Sequence, residues 1–156
     1  MTKKEQPAKN IIVNNNKARF EYEILDTYEA GIVLVGSEVK ALRSGKANIA
    51  EAHGEESDGE LWLYNMNIST YKEAHRDNHE AKRPRKLLLH KTQINKILGR
   101  IKEKGLTLVP LNLYFTAKGL VKMEIGIGKG KKLHDKRETI KARDWDRSKA
   151  RILKGE

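Results

Sequence analysis

Apolar and polar residues alternate along several segments of this chain, which is the period of a half-buried β-strand. From Arg19 to Asp26, the apolar residues Phe20, Tyr22 and Ile24 alternate with charged ones. Further alternating or β-branched apolar segments bounded by turn residues predict strands at Ala30–Val35, Ala47–Ala52, Glu60–Ile68, Leu106–Phe115 and Val121–Gly128. The segments 47–52 and 60–68 would form a hairpin around the acidic tip 54–59.

Two helices are predicted between these strands. Ser37 is a favourable N-cap and Gly45 a favourable C-terminal residue for a short first helix. Isoleucine and leucine at positions 94, 97, 98 and 101 share one helical face, which predicts an amphipathic helix over 91–104. Residues 70–86 are polar without a steady period, and we predict a mobile surface loop there. Six antiparallel strands with two flanking helices predict a mainly β fold, a small closed or partly open barrel.

The barrel pattern stops at Lys129, and the following residues contain too few apolar side chains to pack a core. Helix-forming residues dominate 137–154, but an isolated helix of this length is marginal in water. We therefore predict an N-terminal extension at 1–12, a β-barrel domain at 13–130 and a basic tail at 131–156. The tail is predicted to be disordered alone and helical on a partner.

Charge is concentrated in two places. The 156 residues include 32 Lys and Arg against 21 Asp and Glu, a formal net charge of +11. Residues 82–104 contain nine basic residues and one acid, residues 129–156 contain eleven basic residues and five acids, and the remainder is slightly acidic. Two separated basic segments on a near-neutral body favour a nucleic-acid partner, because phosphate binding by counterion release needs clustered cations.

Composition excludes several classes of protein. The absence of cysteine excludes disulfide scaffolds, thiolate metal sites and cysteine nucleophiles. No apolar run reaches the length that spans a bilayer, and residues 1–10 lack the apolar core of a signal peptide. We expect a cytoplasmic protein without a membrane association.

Catalytic motifs are weak. His75 and His79 have the i, i+4 spacing of zinc ligands, but Arg76 stands where a metallopeptidase would carry Glu, and no third ligand is evident. The glycine-rich segment 126–132 lacks the spacing of a phosphate-binding loop. We expect no catalytic residue, metal or cofactor, although a hydrolytic or nucleotide-modifying enzyme that uses the histidines is a rival hypothesis. Trp145 in the tail suits either base stacking or anchorage on the barrel.

Several separated motifs resemble the SmpB family of SsrA-binding proteins, which partner transfer-messenger RNA (tmRNA) in bacterial ribosome rescue. The resemblance runs from about Asn15 to Leu153 and is carried by these segments: Asn16–Arg19, Tyr28–Gly31, Gly36–Arg43, Gly45–Asn48, Arg85–His90, Leu106–Leu111 and Gly130–Arg137.

The resemblance implies an OB-like, six-stranded antiparallel barrel that clamps the tRNA-like domain of tmRNA, and a protein that is not an enzyme. The tail would enter the empty mRNA channel and the decoding centre of a stalled ribosome and fold there as a helix. Elongation factor Tu would be met indirectly, through alanyl-tmRNA, and the protein would be a monomer. The alternative function is a structural ribosomal RNA-binding protein.

The resemblance also implies site residues, which divide into a barrel set and a tail set. The RNA-binding set is Asn15, Lys17, Arg19, Glu29, Lys40, Arg43, Lys46, Asn48, Lys86, Leu88 and Lys91. The tail set is Lys131, Lys132, His134, Asp135, Lys136, Arg137, Trp145, Ile152 and Leu153. Lysine and arginine would neutralise phosphates, Leu88 would pack on an unstacked base, and Glu29 would accept hydrogen bonds from a base or orient a cation.

Overall fold

The computed structural model describes residues 10–70, 79–103, 105–131, 141, 143–145 and 147. Within residues 10–131 the described chain forms nine strands and three helices, and the described tail residues 141, 143–145 and 147 are also helical. In chain order these are β1 (Asn10–Asn14), α1 (Asn16–Glu21), β2 (Tyr22–Ile32), α2 (Gly36–Arg43), β3 (Ala47–Asn48), β4 (His53–Ser57), β5 (Glu60–Tyr64), β6 (Asn67–Ile68), β7 (Arg85–Leu88), α3 (Lys91–Ile101), β8 (Leu106–Phe115) and β9 (Val121–Gly130).

Six of the strands close into an antiparallel barrel in the order β8-β4-β5-β7-β2-β9, and β9 pairs again with β8. Strand β1 is added outside the barrel, along the second half of β8. The β4–β8 seam is tight: Gly54 is paired with Leu108, and a Cβ on Gly54 would lie 2.5 Å from that leucine side chain. A glycine is therefore needed where the barrel closes. The prediction of a mainly β, six-stranded antiparallel barrel is confirmed.

The barrel interior is filled by residues from alternate positions of its strands. Leu61 and Leu63 of β5, Leu87 of β7 and Met123 and Ile125 of β9 are all completely buried. Ile94 and Ile97 of α3 join the same apolar cluster, which fits the amphipathic pattern predicted for that helix. A second, smaller cluster holds α1 against the outside of the barrel through Ala18, Val109 and Leu111. No helix that the structure describes is long and apolar enough to cross a membrane.

The first two predicted strands are corrected. Residues 16–21 form α1, and β2 then runs without interruption from Tyr22 to Ile32. Phe20 and Tyr22 fit the strand alternation, but the side chain of Asn15 caps a helix by accepting a hydrogen bond from the Ala18 backbone N–H at 3.0 Å. This capped turn makes 16–21 helical, although the alternation of apolar and charged residues at 19–21 favours a strand.

The predicted hairpin and loop are also corrected. Strand β4 occupies 53–57, inside the expected acidic tip, because β5 pairs with it through a turn in which Asp58 and Gly59 have positive φ. Only residues 47–48 of the predicted strand 47–52 are extended, in the pair β3–β6. Residues 71–78 of the predicted loop lie outside the described residues. Its last two residues, 85 and 86, begin β7, a barrel strand between β5 and β2.

Candidate nucleic-acid interface

Alternate residues of β7, β2, β9 and β8 point away from the barrel interior and form one continuous exterior surface, here called the outer face. Its members are Lys86 and Leu88 of β7, Glu29 and Gly31 of β2, Lys122 and Glu124 of β9, and Asn112 and Tyr114 of β8. Gly31 is paired with both Leu88 and Lys122, so the outer face is continuous across these strands.

Glu29 is the centre of a hydrogen-bonded group on the outer face. Its Oε2 accepts the Tyr114 hydroxyl at 2.5 Å, and its Oε1 accepts the Lys122 ammonium at 2.7 Å. Burial raises the pKa of Tyr114, and the hydrogen bond to Glu29 raises it further. The tyrosine hydroxyl therefore remains protonated and donates to Glu29 at any physiological pH.

Glu124 lies opposite Glu29 in the β2–β9 register. It accepts a hydrogen bond from the Asn112 side-chain amide at 3.1 Å, and Arg19 of α1 lies 3.9 Å from its other oxygen. Both carboxylates of the outer face are thus accompanied by a cation, which limits the repulsion that a bare carboxylate would exert on phosphate.

A cleft crosses the outer face beside Leu88, which is 51% exposed. On one side it has a volume of about 470 Å³ and polar walls that include Glu29, His90 and Gln93. On the other side it has a volume of about 330 Å³ and apolar walls that include Leu34, Leu120 and Val121. An apolar surface beside hydrogen-bonding groups and a lysine matches the chemistry of an unstacked nucleotide.

Helix α1 and the segment 46–51 place a second group of predicted residues together. Lys17 forms an exposed ion pair with Glu51, whose hydrogen bond raises the pKa of the lysine. Asn48 is exposed, and its side-chain oxygen accepts a hydrogen bond from the Ala50 backbone N–H at 2.8 Å. The ion pair therefore brings Lys17 of α1 to the segment that carries Asn48.

Asn15 differs from the other predicted RNA contacts because it is buried, with 2% exposure. Its amide nitrogen donates to the carbonyl oxygens of Ile49 and Pro110, at 3.1 and 2.8 Å. With its oxygen capping α1, the side chain joins α1, the 46–51 segment and β8. In this structure Asn15 orders the surface that carries Lys17 and Asn48.

The remaining predicted barrel residues are cations on or next to helices. Lys40 and Arg43 of α2, Lys46 after it and Lys91 at the start of α3 are all exposed. Lys86 is half-buried on β7, 3.9 Å from Glu60. The outer face itself carries Lys86 and Lys122, and Arg19 of α1 lies next to its Glu124.

Two arginines of the basic segment 82–104, one buried and one partly exposed, are paired with Glu38. Arg85 and Glu38 are completely buried and form an ion pair, and Arg83 donates to the same carboxylate at 2.5 Å. Arg85 also donates to the carbonyl oxygens of Met66 at 2.7 Å and Ala81 at 3.1 Å. These arginines balance Glu38, so the segment presents less positive charge to a partner than its sequence count suggests.

The pKa of Glu38 reflects opposing effects. Burial acts to raise it, but hydrogen bonds from Arg83, the Val35 backbone N–H and Arg85 prevail and lower it below the usual value of 4.5. Burial lowers the pKa of Arg85. Glu38 is thus ionised in the folded protein and holds α2 against β7.

His79 is also structural. Its Nδ1 lies 2.9 Å from the Ser37 hydroxyl and its Nε2 lies 2.9 Å from the Ile68 carbonyl oxygen, in a nearly buried position. Its predicted partner His75 lies outside the described residues. Among the residues that are described, no three His, Asp or Glu side chains gather as metal ligands.

Only two members of the predicted tail set are described. Lys131 donates its backbone N–H to the Glu21 carbonyl oxygen at 2.9 Å, so the tail leaves the barrel beside the end of α1. Trp145 is helical and 64% exposed. Nearby, the guanidinium of Arg143 lies 5.1 Å from the centre of the Phe20 ring, in a cation–π geometry. The other tail predictions lie outside the described residues: Lys132, His134, Asp135, Lys136, Arg137, Ile152 and Leu153.

Sequence reasoning missed four residues of the outer face: Asn112, Tyr114, Lys122 and Glu124. The alternation of Lys122 and Glu124 with apolar residues places them on one side of β9, but it does not show which strands adjoin. Their proximity to Glu29 depends on the β2-β9-β8 order, which is a tertiary feature.

This chain is similar to known proteins over nearly its whole length. The family model described as SmpB protein matches residues 12–155. An SsrA-binding protein of Afipia carboxidovorans is 53% identical over 154 residues, which is 99% of this chain and 98% of the relative. Those of Methylobacterium sp. (strain 4-46) and Rhizobium meliloti are 56% and 55% identical, over 99% and 96% of this chain and 98% and 94% of theirs.

A solved structure from work described as "tmRNA-SmpB: a journey to the center of the bacterial ribosome" has a similar fold. It superposes with a TM-score of 0.68 at 45% identity and covers 82% of this chain and 93% of that one. The resemblance identified from sequence motifs is confirmed.

Proposed function

This chain belongs to the SmpB family, and from that membership we propose that it binds tmRNA and delivers it to stalled ribosomes for trans-translation. In this proposal the barrel, residues 13–130, clamps the tRNA-like domain of the RNA. The tail, residues 131–156, occupies the empty mRNA channel and the decoding centre.

The observation that carries the proposal is the setting of Leu88. A leucine that is half exposed on the outer face, with Lys86 two residues before it and Lys122 across the cleft, combines an apolar contact for a base with cations for the flanking phosphates. Looped RNA offers such unstacked bases, whereas the bases of a continuous duplex are covered by stacking.

The other predicted RNA contacts complete this surface. Arg19, Lys40, Arg43, Lys46 and Lys91 supply phosphate contacts from the three helices and the segment after α2. Asn48 and Glu29 supply hydrogen bonds, and Asn15 acts by ordering α1. The protein acts as a binding partner and not as an enzyme. It acts in the cytoplasm as a monomer. It meets elongation factor Tu only through alanyl-tmRNA.

A binding measurement with matched variants tests the barrel. We expect Leu88→Ala to weaken binding of the tRNA-like domain of tmRNA by about tenfold, since burying the exposed half of a leucine side chain is worth about 1–1.5 kcal/mol. Leu25→Ala is the control, because Leu25 is 41% exposed at the bulge between Ile24 and Asp26 of β2 and does not line the cleft. Equal affinities of the two variants would contradict the base-packing role.

The salt dependence of binding tests the phosphate contacts. We expect log K to fall steeply with log salt, and Arg43→Gln to reduce the slope by about 1. Lys102→Gln is the control, because Lys102 is exposed at the end of α3 and is not among the proposed contacts. A flat salt response would contradict phosphate neutralisation.

Truncation tests the division of labour between barrel and tail. A chain that ends after Gly130, the last residue of β9, retains every barrel strand and should bind tmRNA like the full chain. It should fail to support peptidyl transfer to alanyl-tmRNA on ribosomes stalled on truncated messages. Loss of tmRNA binding on truncation would contradict separate roles for the two parts.

The alternative, a permanent structural protein of the ribosome, predicts a different distribution in cells. A rescue factor should co-purify with tmRNA and associate mainly with stalled ribosomes. A structural protein should co-purify with ribosomal RNA at one copy per ribosome under all conditions.

A further inference from the structure

Tyr114 is a buried residue whose polar group serves the outer face. Its side chain is 1% exposed, and its hydroxyl donates to Glu29 Oε2 at 2.5 Å. The side chains of Glu29 and Lys122, by contrast, remain 48% and 35% exposed. The contact therefore links a fixed interior group to charges at the surface.

The register of three adjacent strands explains this arrangement. Tyr114 of β8 is paired with Lys122 of β9, and Lys122 is paired with Gly31 of β2. Gly31 has no side chain, and a Cβ there would lie 3.3 Å from the Leu88 Cβ. The space between Lys122 and Leu88 thus remains open as part of the cleft.

The carboxylate of Glu29 needs an explanation on a surface that is proposed to bind RNA. A carboxylate repels phosphate, but an ammonium held by that carboxylate has a defined position and loses less side-chain entropy on binding. Lysine has three N–H donors, and Glu29 accepts one of them. The ammonium can therefore keep this contact while it donates to a phosphate.

We propose that Tyr114 is a positioning residue for RNA binding: its hydroxyl holds the Glu29 carboxylate, which in turn holds Lys122 at the edge of the cleft to meet an RNA phosphate. The proposal rests on the proposed function, since it assigns how the same surface binds its RNA. It makes Lys122 a direct contact and gives Glu29 the role of orienting a cation.

A double-mutant cycle tests the proposal on the full-length chain with the tRNA-like domain of tmRNA as the probe. We expect Tyr114→Phe to weaken binding by about three- to tenfold. A hydrogen bond to a charged group is worth about 1.5–3 kcal/mol, and only part of that free energy would be lost from RNA binding. In a Glu29→Gln background the same substitution should change affinity by less than about twofold, because the group through which Tyr114 acts is already altered.

Tyr28→Phe is a matched control. The Tyr28 hydroxyl also donates to a carboxylate, that of Asp26, at 3.0 Å on the same strand as Glu29, but Tyr28 packs against the core cluster. We expect this variant to bind RNA like the wild type. Lys122→Gln should reduce the salt slope of log K by about 1, as expected for one lost phosphate contact.

The outcomes separate the inference from the proposed function. If the wild-type chain fails to bind the RNA, the proposed function is overturned and the inference falls with it. If the wild type binds but Tyr114→Phe binds equally well, or costs the same factor in both backgrounds, only the inference is overturned. If Tyr114→Phe melts below the assay temperature, a second double-mutant cycle combines Glu29→Gln with Lys122→Gln, both at the surface. Additive losses of binding free energy would overturn the proposal, and coupled losses would support it.

Discussion

Replacing Glu38 by glutamine should destabilise the protein strongly, because it removes the countercharge of a completely buried arginine. Glu38 and Arg85 both have no exposed side-chain surface. The glutamine would keep one oxygen for the Val35 backbone N–H, which now donates to Glu38 at 3.0 Å. The same oxygen also accepts from Arg83, so the new amide donor would stand where the other oxygen now accepts from Arg85. The charge of Arg85 and this hydrogen bond would be left without a partner.

The expected cost follows from the burial of the pair. Breaking a buried ion pair by removing one partner costs about 3–5 kcal/mol. Arg85 retains its hydrogen bonds to the carbonyl oxygens of Met66 and Ala81, which favours the lower end of that range. Since a domain of this kind is stable by about 5–15 kcal/mol, the substitution removes a large fraction of its stability.

Urea denaturation followed by circular dichroism measures this cost. With a slope of about 2 kcal/mol per molar urea, a loss of about 3 kcal/mol shifts the midpoint down by about 1.5 M. Glu60→Gln is the control, because Glu60 lies 3.9 Å from Lys86 in an exposed ion pair and should cost at most about 1 kcal/mol.

Two results would refute this reasoning. The first is a Glu38→Gln cost no larger than that of Glu60→Gln. The second comes from the double variant Glu38→Leu with Arg85→Met, which removes both charges and should be more stable than Glu38→Gln. If the double variant is instead the less stable of the two, the uncompensated charge is not the cause.

Three further predictions concern stability. Because the folded-state pKa of Glu38 is lowered, its contribution to stability is present above pH 4.5 and is lost as pH falls through the folded pKa; urea midpoints should fall on acidification, and less steeply in Glu38→Gln. Gly54→Ala should cost about 1–3 kcal/mol in urea denaturation, because its Cβ would meet the Leu108 side chain at 2.5 Å, whereas a cost near zero would show that the β4–β8 seam has spare room. Asn15→Ala should cost about 2 kcal/mol in thermal denaturation by removing a helix cap and two buried hydrogen bonds, while Asn95→Ala on the exposed side of α3 should cost less than about 1 kcal/mol.

Strand alternation predicted the parts of the fold whose two sides face different surroundings. The pattern predicts β9 and α3 because one side of each packs in the barrel and the other is partly exposed. It predicts β8 from its apolar residues, although α1 and β1 cover the outer side of this strand as well. Strand β7 was missed because a strand of four residues, Arg85 to Leu88, begins with a charged residue that points inward. The local sequence pattern does not show that Glu38, 47 positions away, neutralises the charge of Arg85.

The site residues are predicted from short motifs that resemble a family, and their contacts with RNA stay predictions. The motifs placed Glu29, Leu88 and the helix cations on the surface that the barrel presents, but they could not distinguish surface contacts from Asn15, which is buried. Tyr114 and Lys122 belong to no predicted set, since neither is unusual by itself. They acquire a role only because β8, β9 and β2 lie side by side.

The sequence by itself determined the fold class, the family and the presence of two basic segments, because periodicity, motifs and charge are properties of neighbouring residues. Only the tertiary structure decided which charges are buried and which stay on the surface. It buries Arg85 with Glu38, and it joins Tyr114, Glu29 and Lys122 into one surface group. The physical reason is that the energy of a charge depends on its burial and its partners, and both are set by contacts between residues distant in the chain.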